Sequence, residues 1–471
     1  MDDSFDFFEN EGDTDEMVRK YERMLIFNKS VFFDVEEFDG IIDYYRFNGY
    51  SKQALEAVER AVLQHPDSFD LKLKRAFVFH ENGKEIEALR ILTQIQKLES
   101  TNLDIFMLKG SVYLAIKQIE QARKSFDLAI KLDSEDKINS LMTVADTFAQ
   151  NGHFKIALDY YNRVLQIDPK FVETYYELAS INQQLGEYEK AESYLQTFLD
   201  FEPFSVQGWY LLSMLYNITD RPKDAIDAID YAIAIDNADI TLYFVKAGLQ
   251  LDMELNNEAL ETYNEILQID HENPEAFVGI GEIYESLSKF DDAIEYFDMA
   301  INADNNMPEA WYGKAVVAFQ IENFELALKF IAVAIDLFPT NPDYWYTQGK
   351  IALRINNENL ALSSFVEASS IDPDDIDIWI NYSDALVHFG KIKKAIKALE
   401  DALDFLGEDS EILINLSILN FKNNTFTAAY KYLEKAISIE SSENERFFDL
   451  YPDGKNIPGI EKFIKSIKPK Q

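Results

Sequence analysis

Apolar residues recur along this chain in two linked sets. In the stretch PEAFVGIGEIYESLSKFDDAIEYFDMAINADNN (274–306), Phe277, Gly281 and Tyr284 fall three or four residues apart, and so do Ala293, Phe297 and Ala300. Each set lines one face of an α-helix. A polar break near Ser288 separates the two sets, so the segment predicts two helices joined by a tight turn.

The pattern repeats. Ala54, Ala88, Ala122, Ala157, Ala191, Ala225, Ala259, Ala293, Ala327, Ala361, Ala395 and Ala429 are spaced by 34 residues, except for one interval of 35 that fits an extra residue near Lys137. With this alanine as position 20, repeat one covers 35–68 and repeat twelve 410–443. Position 4 is large and apolar in every repeat but the second, where Lys72 stands, and all four tryptophans (Trp209, Trp311, Trp345, Trp379) fall on it. Position 8 is Gly, Ala or Ser except for Ile42, and position 24 is always apolar. Small residues at 8 and 20 let two helices approach closely, while bulky ones at 4 and 24 fill the remaining space. Gly49, Gly83, Gly152, Gly186 and Gly390, or polar residues at the same place, end the first helix. Pairs such as Asp168-Pro169 and Asp372-Pro373 close the unit.

These residues resemble the tetratricopeptide repeat, of the kind found in bacterial proteins, over 35–443, or 409 of 471 residues. The resemblance implies an all-α, right-handed superhelical solenoid of about twelve helix-turn-helix repeats. It also implies that the first helices line a concave groove through positions 2, 5, 9, 12 and 13. A solenoid needs covered ends. Residues 16–34 are expected to form an N-terminal cap helix, with Met17, Tyr21, Met24 and Leu25 on one stripe. Residues 444–471 are expected to form a C-terminal cap helix (Ile460, Phe463, Ile464, Ile467 after Pro458) with a basic tail (Lys462, Lys465, Lys468, Lys470). Residues 1–15 read as an acidic, disordered tail whose Phe5, Phe7 and Phe8 are a possible docking motif.

Charge and composition narrow the function. With 84 acids against 44 bases the net charge is −40. Such a chain repels nucleic acid and anionic membranes, yet allows basic protein or peptide partners. No run reaches the length of a membrane span, and MDDSFDFFEN lacks the basic, apolar start of a secretion signal, so a cytoplasmic location is expected. Cysteine is absent, which excludes disulfides and thiolate sites. His65, His80, His153, His271 and His388 lie in five different repeats without metal-pair spacing. Gly279-Ile280-Gly281 has no preceding strand and no third glycine, so it reads as helix packing rather than a nucleotide loop. Asp372–Asp377 reads as a linker and helix start rather than a Ca²⁺ loop. No cofactor, metal or catalytic residue is expected.

The expected activity is that of a non-enzymatic scaffold or adaptor holding protein segments in the groove. Its predicted contact residues are Tyr176, Tyr210, Met214, Phe244, Leu251, Tyr312, Phe319 and Tyr346. Position 7 bases (Arg75, Lys109, Lys246, Lys314) are expected to pair with neighbouring acids. A structural homo-oligomer, or a regulatory sensor of a peptide or small ligand, are the alternatives; the oligomeric state stays open.

Overall fold

In a computed structural model, residues 11–27, 30–440 and 442–467 are described. Among them the chain is all-α, with 27 α-helices, one 3₁₀ turn and no strand. After helix Glu11–Ile26 come twelve helix pairs, from Val35–Phe47 with Ser51–Gln64 to Ser410–Lys422 with Phe426–Ile439. The chain divides into two compact units, Met1–Arg221 and Pro222–Gln471. The division falls in the turn of repeat six, a feature the even periodicity does not show.

Local chemistry fixes the helix ends. At the start of repeat one, Asp34 Oδ1 accepts from the Glu37 amide at 2.8 Å and Glu37 Oε2 accepts from the Asp34 amide at 2.9 Å, a reciprocal capping box. In repeat eight Asn273 caps the Ala276 amide at 2.9 Å and Pro274 takes the first helical position. Position 15 is left-handed in all twelve repeats, with φ between 55° and 74°. Five of these residues are glycine; Lys117, Asp220, Glu254, Ser288, Glu322, Asn356 and Asn424 adopt the same conformation. The turn is held by a bond such as Lys289 N–H to Tyr284 C=O at 2.8 Å, six residues wide.

Packing follows the period. All twelve position-20 alanines are fully buried. Phe297, also fully buried, lies between two glycines: a Cβ on Gly281 would come within 2.7 Å of its ring, and one on Gly313 within 2.3 Å. One ring thus joins both helices of repeat eight to the first helix of repeat nine. In repeat two Lys72 stands half-buried at position 4, while Leu71 at position 3 is buried, as that position is in every later repeat.

Two contacts tie successive repeats. Each position-4 tryptophan donates its indole N–H to a carbonyl six residues upstream: Trp209 to Pro203, Trp311 to Asn305, Trp345 to Pro339 and Trp379 to Pro373, at 2.8–3.2 Å. Position 7 bases pair with position 25 of the preceding repeat: Arg75 with Glu59, Lys246 with Asp230 and Lys314 with Asp298. In repeat two that position is Thr93, and Lys109 donates instead to Gln96 at 2.8 Å. Burial without an acid holds the Lys109 ammonium below its usual range.

The chain ends pack into the cores of the first and last repeats. The first helix begins at Glu11, inside the segment read as disordered from sequence, and buries Tyr21 among Phe33, Phe38 and Tyr45. At the other end helix Ile460–Ser466 is preceded by an unanticipated helix, Glu443–Leu450, whose Phe447 is fully buried against Phe421. The tail residues Phe5, Phe7, Phe8, Lys468 and Lys470 lie outside the described residues.

Candidate functional site in the first-helix groove

In unit one, groove positions of successive repeats converge on a cavity of about 460 Å³. Its apolar lining is Leu73 and Met107 at position 5 of repeats two and three, Phe77 at position 9, and Leu108 and Phe126 from the core. Asp39, Asp70 and Asp104 lie at its rim, and Ser111, Thr143 and Thr147 supply hydroxyls. Those hydroxyls donate to carbonyls of their own helices. Lys74, the base in the lining, reaches Asp39 at 2.9 Å and Asp43 at 2.7 Å. Arg46 pairs with Asp43 and Glu81 and lies 4.4 Å from the Phe77 ring centre.

A second cavity, about 410 Å³, lies one repeat further on, between Gln150, Phe154, Glu177, Ser180 and Gln184. In the core of repeat four Tyr161 donates to Asp146 Oδ1 at 2.5 Å. Burial, and then the Asp146 charge, push the Glu177 carboxyl above its usual range.

All eight residues singled out from the sequence are half-buried. Tyr176, Tyr210 and Met214 belong to unit one; Phe244, Leu251, Tyr312, Phe319 and Tyr346 belong to unit two. Several pack on their own or the next repeat: Tyr176 on Phe198 (5.6 Å between ring centres), Phe244 on Tyr263 (6.1 Å) and Tyr312 on Tyr344 (4.9 Å). The Tyr312 hydroxyl meets Thr347 Oγ1 at 3.3 Å. Phe244 and Leu251 share one core cluster, Phe319 lies beneath Arg354, and Lys350 lies over Tyr346 at 5.0 Å.

Carboxylates surround this tyrosine pair. Burial, then the hydrogen bond to Thr347, then Asp343, Glu285 and Glu282 act on the Tyr312 hydroxyl, and the net effect raises it. Glu282 has an exposed surface, yet its carboxyl is also raised, first by desolvation and then by repulsion from Glu285 and Glu309. Asp384, at the same position of repeat eleven, is raised by burial. Among the described residues Glu282, Glu309 and Asp343 form no ion pair.

The sequence pattern missed the first cavity, because its position 5 residues, Leu73 and Met107, are not aromatic. The acids Asp70 and Asp104 gave no signal for it, because position 2 is Asp or Glu in nine repeats.

The histidines stay apart, bonded locally: His65 to Phe33 C=O, His80 to Glu85, His271 to Leu267 C=O and His388 to Asn356. Among the described residues no group of three or more His, Asp or Glu side chains is arranged to hold a metal ion, and no helix is long and apolar enough to cross a membrane. Asp375 caps the Asp377 and Ile378 amides, which accounts for part of the acidic run as a helix start.

Family models and relatives in sequence carry the same repeat. Family models described as tetratricopeptide repeat match residues 103–136, 146–208, 245–308 and 286–351. A repeat-containing protein of Methanocaldococcus jannaschii is 24% identical over 253 residues, covering 49% of this chain and 43% of that protein. A human protein O-mannosyl-transferase is 22% identical over 185 residues, covering 38% of this chain and 21% of the transferase. The chain thus spans less than half the length of these relatives. A crystal structure of a tetratricopeptide repeat protein from Parabacteroides merdae aligns with 53% of this chain and 98% of its own, at 17% identity and a TM-score of 0.42.

Proposed function

From the premise that this chain is a tetratricopeptide repeat protein, we propose that it is a non-enzymatic scaffold that holds protein or peptide segments along its first helices. The observation that carries the reading is the cavity of repeats one to four, in which positions 2, 5 and 9 of consecutive first helices meet around an apolar floor. Such a site takes apolar anchors, and its rim selects charge. Half-buried aromatics stand at position 5 of later repeats too, Tyr176 and Tyr210 in unit one and Phe244, Tyr312 and Tyr346 in unit two, and offer further apolar contacts within each unit. The negative field around Tyr312 and Glu282 favours basic segments and speeds their arrival.

The test is capture of partners on the full chain at low salt, with mass spectrometry and then affinity measurement on the captured segment. Three variants are compared: Met107→Trp, which fills the cavity; Tyr210→Ala with Phe244→Ala; and Leu63→Ala on an exposed face of a second helix. Loss of affinity in one or both groove variants, with Leu63→Ala unchanged, supports the reading. Unchanged capture by both groove variants removes it.

A further inference from the structure

We infer that the cavity of repeats one to four recognises a segment in which one large apolar side chain is flanked by two lysines or arginines. This rests on the groove-binding reading and specifies its ligand. The floor is apolar and open: Leu73, Phe77, Met107, Leu108 and Phe126 line a space of about 460 Å³. That is within the ~300–1,000 Å³ of sites that enclose a ligand, so it admits an aromatic or branched side chain together with neighbouring backbone.

The charges at the rim are of two kinds. Asp39 and Asp43 are paired with Lys74, at 2.9 and 2.7 Å, and Arg46 is committed to Asp43 and Glu81. Asp70 and Asp104 are different. Both are exposed at the cavity rim, and neither forms an ion pair among the described residues. They occupy position 2 of adjacent repeats, near the starts of the two first helices (Phe69–Glu81 and Leu103–Ala115) whose next turns supply most of the apolar floor. Packed helices lie about 10 Å apart, and an extended chain advances about 3.4 Å per residue. Two cations about three residues apart, with the apolar residue between them, would therefore meet both carboxylates while the anchor enters the floor. An acidic segment would face the same two aspartates unrelieved, and its charge would be repelled.

The experiment is a selection from a random dodecapeptide display library, run in parallel on the full wild-type chain, on Asp70→Lys with Asp104→Lys, and on Tyr210→Ala with Phe244→Ala. Both aspartates are exposed, so the charge reversal leaves the core intact; helicity by circular dichroism checks this. On the wild type, enriched peptides carry a large apolar residue flanked by Lys or Arg. On the reversed variant they carry the same anchor flanked by Asp or Glu, and the wild-type peptides bind it roughly tenfold more weakly. Enrichment without basic flanks, or the same pool on wild type and reversed variant, overturns the inference. If binding survives charge reversal but is lost with Tyr210→Ala and Phe244→Ala, the groove reading stands and this site falls. If neither variant alters the selected pool, both fall.

Discussion

Phe297 offers a direct test of the packing that sets the repeat geometry, because two glycines face its ring from different repeats. A methyl added at Gly313 would lie 2.3 Å from Cζ and 2.4 Å from Cε1, whereas carbon atoms pack at about 3.5–4.0 Å. The ring cannot swing away, since it is fully buried and closely faces Gly281 on the other side. Overpacking of this kind costs about 1–3 kcal/mol, and the severity of the overlap places Gly313→Ala in the upper part of that range. Alanine returns about 1 kcal/mol of helix propensity, leaving a net loss of about 1–2 kcal/mol. Gly248, also inside a first helix of unit two, has nothing within 4 Å of its would-be Cβ, so Gly248→Ala keeps the propensity gain and stabilises by about 0.5–1 kcal/mol. The same substitution thus has opposite signs at two sites. Thermal melting followed by tryptophan fluorescence reports both, because Trp311, Trp345 and Trp379 lie in unit two and Trp311 shares the helix of Gly313. At about 2–4 °C per kcal/mol for a unit of this size, Gly313→Ala melts several degrees below the parent and Gly248→Ala a degree or two above it. A Gly313→Ala protein that melts at or above the parent refutes the wedge, and with it the account of why small residues recur at these positions.

Three further perturbations follow from named contacts. Glu282 has a folded-state carboxyl raised above the ordinary value of 4.5, chiefly by desolvation, so the folded chain holds its proton to higher pH than the unfolded chain. Stability therefore falls as pH rises from 4.5 through the raised value; Glu282→Gln is more stable than the parent at pH 8, and the difference shrinks at pH 4 in urea titrations. Thr93→Glu supplies the position-25 acid that Glu59, Asp230 and Asp298 provide elsewhere; it should raise the Lys109 pKa and add about 0.2–1 kcal/mol, a gain that salt erases. Trp345→Phe removes the 2.8 Å indole bond to Pro339 and costs about 1 kcal/mol, read as a lower urea midpoint, with little change in helicity.

Much of the fold is legible from residue type at a fixed interval, because stacking repeats forces the same steric problem twelve times. Alanine at position 20 has one reason, close helix approach, and it is buried in every repeat. Tryptophan at position 4 was legible as bulk, but its use as a clamp was not: the acceptor is a backbone carbonyl, which the sequence does not mark. Gly279 shows the reverse. Beside Gly281 it invited comparison with a phosphate loop, yet a Cβ there would come within 2.3 Å of the Tyr263 ring, so it too is a packing glycine, facing the preceding repeat. Position 15 was marked where it is glycine; Lys117, Glu254 and Glu322 adopt the same left-handed turn despite an intrinsic cost of about 1 kcal/mol or more each, because the helices on either side determine the turn.

The binding surface was less legible, for a physical reason. Aromatic residues at position 5 draw attention to repeats five to ten because large rings are what interfaces commonly use. In the structure several of those rings spend their surface on neighbours: Tyr312 on Tyr344 and Thr347, Phe244 on Tyr263, Tyr176 on Phe198. A ring that fills the groove removes the volume a ligand would occupy. Leu73 and Met107, at the same position of repeats two and three, are narrower and leave the space above Phe126 and Leu108 open. The first cavity therefore sits where position 5 carries no ring. Filling it should reproduce the later repeats, so Met107→Trp closes the unit-one cavity while keeping the helix pairs intact. A ligand segment that binds this variant as well as the parent would show that the empty space between first helices is not what the partner uses.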